Sequence, residues 1–382
     1  MRAPARRFVQ PALLGAFLLL AAVRLAWLYR NTGGVPGWDY RIYAEAVGRA
    51  AGGNDPYQLS EIGTGFINHP GLLLLVYPFQ RLGAAGFWLW MAGSLIAWPL
   101  TLTIAAREFP AGRLPVLLLP LTAAVEGLFM GQASIAAGLC LAGAFIALRR
   151  ERDDLAGLLI GFGVLFKLSL AIFGLYFLLK KRFRAAAVLG LVIAFFSAVS
   201  ELLLLAGING IFFETMIGLY ADFHPGANNA SLAGVPYFPV IALILLAGLC
   251  AAVLREPGRV TGWRDFGGLA AWTLLSSPLT WHHHFVLLAV PLVGGLAAEP
   301  GGTGGSHGPG SPPGPGDPAG PGDPAGRSYG VALAVLIQVD LLGQLVGLPF
   351  HTGIAAAIGV LILAVAPLTH KPNAVILSND VR

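Results

Sequence analysis

Apolar runs broken by short polar or basic stretches set the pattern of this chain. A helix needs about 20 apolar residues to cross a hydrocarbon layer of about 30 Å. Read against that length, the runs predict an all-α polytopic membrane protein with about 12 transmembrane helices. The spans fall roughly at 8–29, 83–106, 114–129, 131–148, 155–166, 168–179, 184–207, 235–254, 265–280, 283–298, 329–347 and 353–369. The first run follows a basic start, as in a signal peptide, but it is longer than a typical signal core. No small-residue cleavage site follows it, so an uncleaved first span is expected.

The breaks carry the basic residues: Arg2, Arg6 and Arg7; Arg107 and Arg113; "RRERDD" at 149–154; "KKRFR" at 180–184; and Arg255, Arg259 and Arg264. Short loops rich in Lys and Arg stay cytoplasmic, so an even number of passes should separate each pair of breaks. The decisive stretch is 155–179, "LAGLLIGFGVLFKLSLAIFGLYFLL", flanked by basic clusters on both sides. As a single pass it would leave Lys167 near mid-membrane, at a cost of roughly 3 kcal/mol. Two short re-entrant-like helices hinged at Lys167 solve both problems, each arm being about 17 Å long. Such arms require a cavity lined by protein, so the hairpin predicts an externally open cavity with Lys167 at its floor. A snorkelling lysine is the plainer reading.

With the hairpin, both termini are expected in the cytoplasm. The first loop at 31–82, the polar stretch at 208–234 and the "SPLTWHHH" corner then face the outside. The stretch 300–327 is rich in Pro and Gly and carries a tandem "GDPAG", a composition that buries too little surface to offset ordering entropy. It is expected to be a disordered cytoplasmic linker between a catalytic core at 1–299 and a C-terminal helical hairpin and tail at 328–382.

Composition agrees with the pattern. Of 382 residues 56% are hydrophobic and only 11% charged, with a mean hydropathy of +0.73, which excludes an ordinary soluble domain. The net charge of +5 resides in the breaks and marks topology, with no nucleic-acid face. Cys140 and Cys250 lie in apolar runs and offer neither a disulfide framework nor a metal-ligand spacing.

In the first loop, "DYRIYAEAVGRAAGGNDPY" repeats apolar residues at helical spacing, which predicts an amphipathic helix on the outer membrane surface. Asp39 at its start is either an N-cap or a general base. Asp55, before Pro56, suits a turn. His69, in "FINHPGLLLLVYPF", is an interfacial histidine satisfied by backbone or a substrate contact. Glu126 and Gln132 bracket the turn "EGLFMGQAS", and an intramembrane glutamate is functional by default unless it reaches water. The loop "ADFHPGANNASLAG" adds Asp222, His224, Asn228, Asn229 and Ser231, a set that also suits plain turns. In "SPLTWHHHF" three adjacent histidines are splayed by about 100° each on a helix and do not converge on one metal. A helix opening after Pro278 would instead present N–H groups and imidazoles to an anion.

Taken together and in order, these stretches resemble glycosyltransferase family 87, membrane mannosyltransferases of the GT-C fold that use polyprenyl-phosphate sugars. The resemblance covers roughly residues 10–300. "SPLTWHHHF" carries it most specifically, supported by the first-loop stretch, "GQAS", the Lys167 stretch and "NNASLAG". It implies Asp39 as general base, Lys167, His283 and His284 as contacts to the donor phosphate, and no cofactor or metal. Possible substrate contacts are Tyr43, Tyr57, His69, Gln132, Asn229, Trp281 and His282. His282 departs from the family pattern, standing where an aspartate is usual, and "INHP" stands where an aromatic residue and prolines are common.

The reaction implied is an inverting, single-displacement transfer of mannose from a polyprenyl-phosphate donor to a glycolipid or lipoglycan acceptor. It would take place on the extracytoplasmic side of the cell membrane. A polyprenyl-phosphate arabinofuranosyltransferase, a lipid or solute transporter without transferase activity, and a histidine-based metalloenzyme are the alternatives.

Overall fold

The structure, a computed structural model, describes residues 4–58, 65–108, 121–222, 237–255, 263–277, 284 and 287. The linker and C-terminal hairpin expected beyond 299 lie outside the described residues, as do Asn229, Trp281, His282 and His283.

All regular structure among the described residues is helical: α1 (Pro4–Asn31), α2 (Trp38–Ala51), α3 (Gly71–Arg81), α4 (Ala84–Glu108), α5 (Leu121–Met130), α6 (Ser134–Arg149), α7 (Asp153–Phe166), a 3-10 segment (Leu168–Ile172), α8 (Phe173–Leu179), α9 (Phe183–Leu203), α10 (Ile208–Asp222), α11 (Phe238–Arg255) and α12 (Trp263–Leu275). Two of them are long and apolar enough to cross a membrane, at Ala84–Ile104 and Phe183–Leu203. Only 17% of the apolar window of α9 is buried within the protein, and Leu191, Phe195 and Leu202 are more than half exposed. Apolar surface of this extent, left uncovered by protein, suits contact with lipid.

The basic-flanked stretch does turn back on itself. Asp153, where it begins, accepts a 2.5 Å hydrogen bond from Arg182, just past its end, and the same guanidinium donates to the Leu148 carbonyl at 3.1 Å. The clusters 149–154 and 180–184 therefore meet at one end of the bundle, with a second pair between Arg184 and Asp154. We call this the basic end and the level of Lys167 the hinge end. From the basic end α7 and α9 run parallel, Gly157 lying against Ala185 and Gly161 against Val192. A Cβ on Gly157 would stand 2.3 Å from the Ala185 carbonyl oxygen, so only glycine permits this approach. α6 packs on α7 from the other side, and Phe145, Phe173, Tyr176 and Phe266 fill the core between α6, α8 and α12.

Two expectations are corrected. The amphipathic helix exists as α2, but protein covers its apolar face. Tyr43, Ala46, Val47 and Ala50 are buried against α3 and α5, because the short α3 supplies an apolar partner that spacing alone does not reveal. The stretch from 208 is not wholly loop either. Its first part is α10, whose Ile208, Phe212 and Met216 pack into the same core as α2, and the polar residues lie mainly after it, from Asp222 on.

Candidate active site

α2 enters from Gly37, whose φ of 78° is open to glycine at little cost and whose amide donates to the Phe129 carbonyl at 2.8 Å. Asp39 therefore stands one residue inside the helix, in its first turn, with Gly37 as the N-cap; the N-cap reading is replaced by a buried carboxylate, 5% exposed. One turn on, the Tyr43 hydroxyl donates to Gln132 Oε1 at 2.9 Å. Burial, and then the nearby Asp39 charge, push the Tyr43 phenol well above its ordinary range, so it stays a donor. Trp90 donates to the Gly131 carbonyl at 2.9 Å and rests edge-on to Tyr43, closing the turn that holds Gln132.

Beneath that turn is a contact the sequence does not announce. Arg24 of α1 gives both Nε and Nη2 to Glu126 Oε2, at 2.8 and 2.6 Å, with both side chains nearly inaccessible. The carboxylate singled out at 126 is thus half of a buried ion pair that ties α1 to α5. An arginine inside an apolar run, needing a partner at membrane depth, was the available signal.

Lys167 sits at the break between α7 and the 3-10 segment, with extended backbone (φ −148°, ψ 101°). Its Nζ lies 3.3 Å from His284 Nδ1 and 3.4 Å from Nε2, across 117 residues of sequence. The ammonium is almost equally close to both ring nitrogens, so either tautomer of the imidazole serves this contact. An ammonium beside an N–H donor forms an anion site as soon as an oxyanion displaces that internal contact.

The first loop also docks on the hinge. Asn68 Nδ2 donates to the Phe166 carbonyl at 2.7 Å, and the Tyr57 hydroxyl donates to the Asn68 carbonyl at 3.2 Å. Asp55 closes a turn by accepting from the Tyr57 amide at 2.8 Å. His69 is 3% exposed: its Nδ1 accepts from the Gly71 amide at 3.0 Å and its Nε2 faces Ser197 Oγ at 3.1 Å. Both ring nitrogens are engaged within the protein, and burial lowers the pKa to about 4, so the ring is neutral. Asn68 and Ser197 escaped the sequence reading; the departure at "INHP" was the clue to the first.

Two pairs of the anticipated residues thus meet, Tyr43 with Gln132 and Lys167 with His284. Phe166 and Leu168, flanking the hinge, pack against the cluster containing Tyr43, Phe66 and Ala133, so both pairs border one core.

The model of one family, described as Glycosyltransferase family 87, matches residues 66–298, more than half of the chain. That span includes Asn68, Gln132, Lys167, His283 and His284, and begins after Asp39. No curated protein and no solved structure matches.

Proposed function

The chain belongs to glycosyltransferase family 87, and from that premise we propose that it moves a mannosyl residue from a polyprenyl-phosphate donor to a glycolipid or lipoglycan. The family makes it a membrane glycosyltransferase; the donor, the sugar, the acceptor and the side of the membrane are our reading. The observation that carries it is the Lys167–His284 pair, a cation and an imidazole brought to one point at the tip of a helical hairpin. A polyprenyl phosphate keeps its tail in lipid, and its charged group needs polar protein partners at the depth of the hairpin tip, which a cation and an imidazole there would supply.

In the proposed reaction the acceptor oxygen attacks the anomeric carbon, and the bond from that carbon to the phosphate oxygen breaks. Its electron pair leaves on the polyprenyl phosphate. Lys167, His284 and the neighbouring His283 stabilise that developing charge. Asp39 takes the acceptor proton as general base. With one displacement and no enzyme nucleophile, the anomeric configuration inverts. Tyr43 and Gln132 orient the sugar or acceptor beside Asp39. The basic end is cytoplasmic by the positive-inside rule, which puts the hinge end and the transfer outside, on a multi-pass protein of the cell membrane.

The test is transfer of label from polyprenyl-phosphate [14C]mannose in membranes containing the protein, with identification of the labelled lipid. Asp39→Asn should lower the rate by about 10²–10⁴ without reducing the amount of folded protein. Wild-type rates from this variant would remove the base; label accepted only from polyprenyl-phosphate arabinofuranose would change the donor sugar.

A further inference from the structure

We propose that Asn68 is the positioning residue for Lys167, holding open the helix break that aims the ammonium at His284. This rests on the reading of Lys167 as a phosphate contact. In a continuous α-helix the Leu170 amide would bond to the Phe166 carbonyl, four residues back. Here it bonds to Lys167 O at 3.0 Å, the tighter 3-10 pattern, which takes it away from Phe166. Asn68 Nδ2 donates to that same Phe166 carbonyl at 2.7 Å. The amide thus satisfies a group that would otherwise favour resumption of the helix through Lys167, a turn that would point the side chain elsewhere.

Asn68 is itself fixed on both sides. Tyr57 donates to its backbone carbonyl at 3.2 Å. His69, next in the chain, is clamped between the Gly71 amide and Ser197 of α9. Since Nδ1 accepts, the ring hydrogen is on Nε2 and donates to Ser197. The loop that carries the proposed base is therefore anchored to α9, and its Asn68 side-chain amide reaches the hinge backbone. This gives Asn68 and His69 distinct roles: Asn68 acts on the Phe166 carbonyl, in the peptide that leads into Lys167, and His69 holds Asn68 in place.

The experiment compares binding of undecaprenyl phosphate and undecaprenol to the full chain in nanodiscs. The two probes share the tail and differ in the phosphate. Wild type should prefer the phosphate, and Lys167→Ala should lose that preference. Asn68→Ala, and Asn68→Leu as a variant of similar volume without the donor, should lower the phosphate-to-alcohol affinity ratio about threefold to tenfold, with alcohol binding unchanged. Adding Asn68→Leu to Lys167→Ala should change the ratio no further, as expected for residues acting through one contact. If Lys167→Ala loses the preference while both Asn68 variants keep it, the positioning role is overturned and the phosphate site stands. Equal weakening of both probes by the Asn68 variants would also overturn it, marking a role in folding alone. Wild-type preference in Lys167→Ala would overturn the phosphate reading itself, and this inference with it.

Discussion

His69 ties the first loop to α9, its ring held between the Gly71 amide and Ser197. Its ring is buried and neutral, with a pKa lowered to about 4 against an ordinary value of 6.5. Between those two values the unfolded chain binds a proton that the folded chain does not, so stability falls as pH drops from about 6.5 to about 4. Unfolding followed in detergent across that window should show a steeper acid loss for wild type than for His69→Gln, which keeps hydrogen-bonding groups and does not titrate. Parallel curves would mean that the ring is not held neutral. At the same scale, Asp39 follows a tight entry at Gly37, where an added Cβ would lie 2.2 Å from the Phe87 ring. Gly37→Ala should therefore disturb α2 and lower transfer together with thermal stability, whereas Asp39→Asn should lower transfer alone.

At the scale of elements, two contacts are expected to dominate. Gly157→Ala forces α7 away from the Ala185 carbonyl, and overpacking of this kind costs about 1–3 kcal/mol. A lowered melting temperature with reduced phosphate binding is expected, because α7 carries Lys167. Glu126→Gln leaves Arg24 buried beside a neutral amide and should destabilise by about 3–5 kcal/mol; exchanging the two residues, Arg24→Glu with Glu126→Arg, should recover part of that in the same melting assay. The hairpin was legible because two basic clusters bracket only 25 residues around a lysine, a conflict that charge and length expose together. α10 was not, since the polar residues that follow it, from Asp222 on, made 208–234 read as one polar stretch although its first part is largely apolar on all sides. The cover over α2 was not legible either, because periodicity identifies an apolar face and leaves open whether lipid or protein meets it.

For the whole molecule, side assignment is the open prediction. In a Cys140→Ala, Cys250→Ala background, Asn54→Cys should react with an impermeant maleimide from outside intact cells, and Glu151→Cys only after permeabilisation. The reverse pattern would place transfer on the cytoplasmic side. At this scale the order of motifs along the chain was informative, and the contacts between them were not. Lys167 meets His284 over 117 residues and Arg24 meets Glu126 over 102, distances at which one sequence carries no local signal. The first pair was foreseen only as two residues with a common partner, the second only as a lone glutamate.

The 3-10 segment has a consequence for how the hinge keeps its height. The rising arm, α7, has 14 residues, which at 1.5 Å each span about 21 Å. The returning arm has five 3-10 and seven α residues. Wholly α-helical it would span about 18 Å and fall short; with the five residues stretched to 2.0 Å each it reaches about 20.5 Å. The two unequal arms thereby match, and both feet rest at the Asp153–Arg182 pair. One residue inserted in α7 would lift Lys167 by about 1.5 Å and swing it by about 100°. The tip of this hairpin is thus a measured length, intolerant of the insertions that ordinary loops absorb.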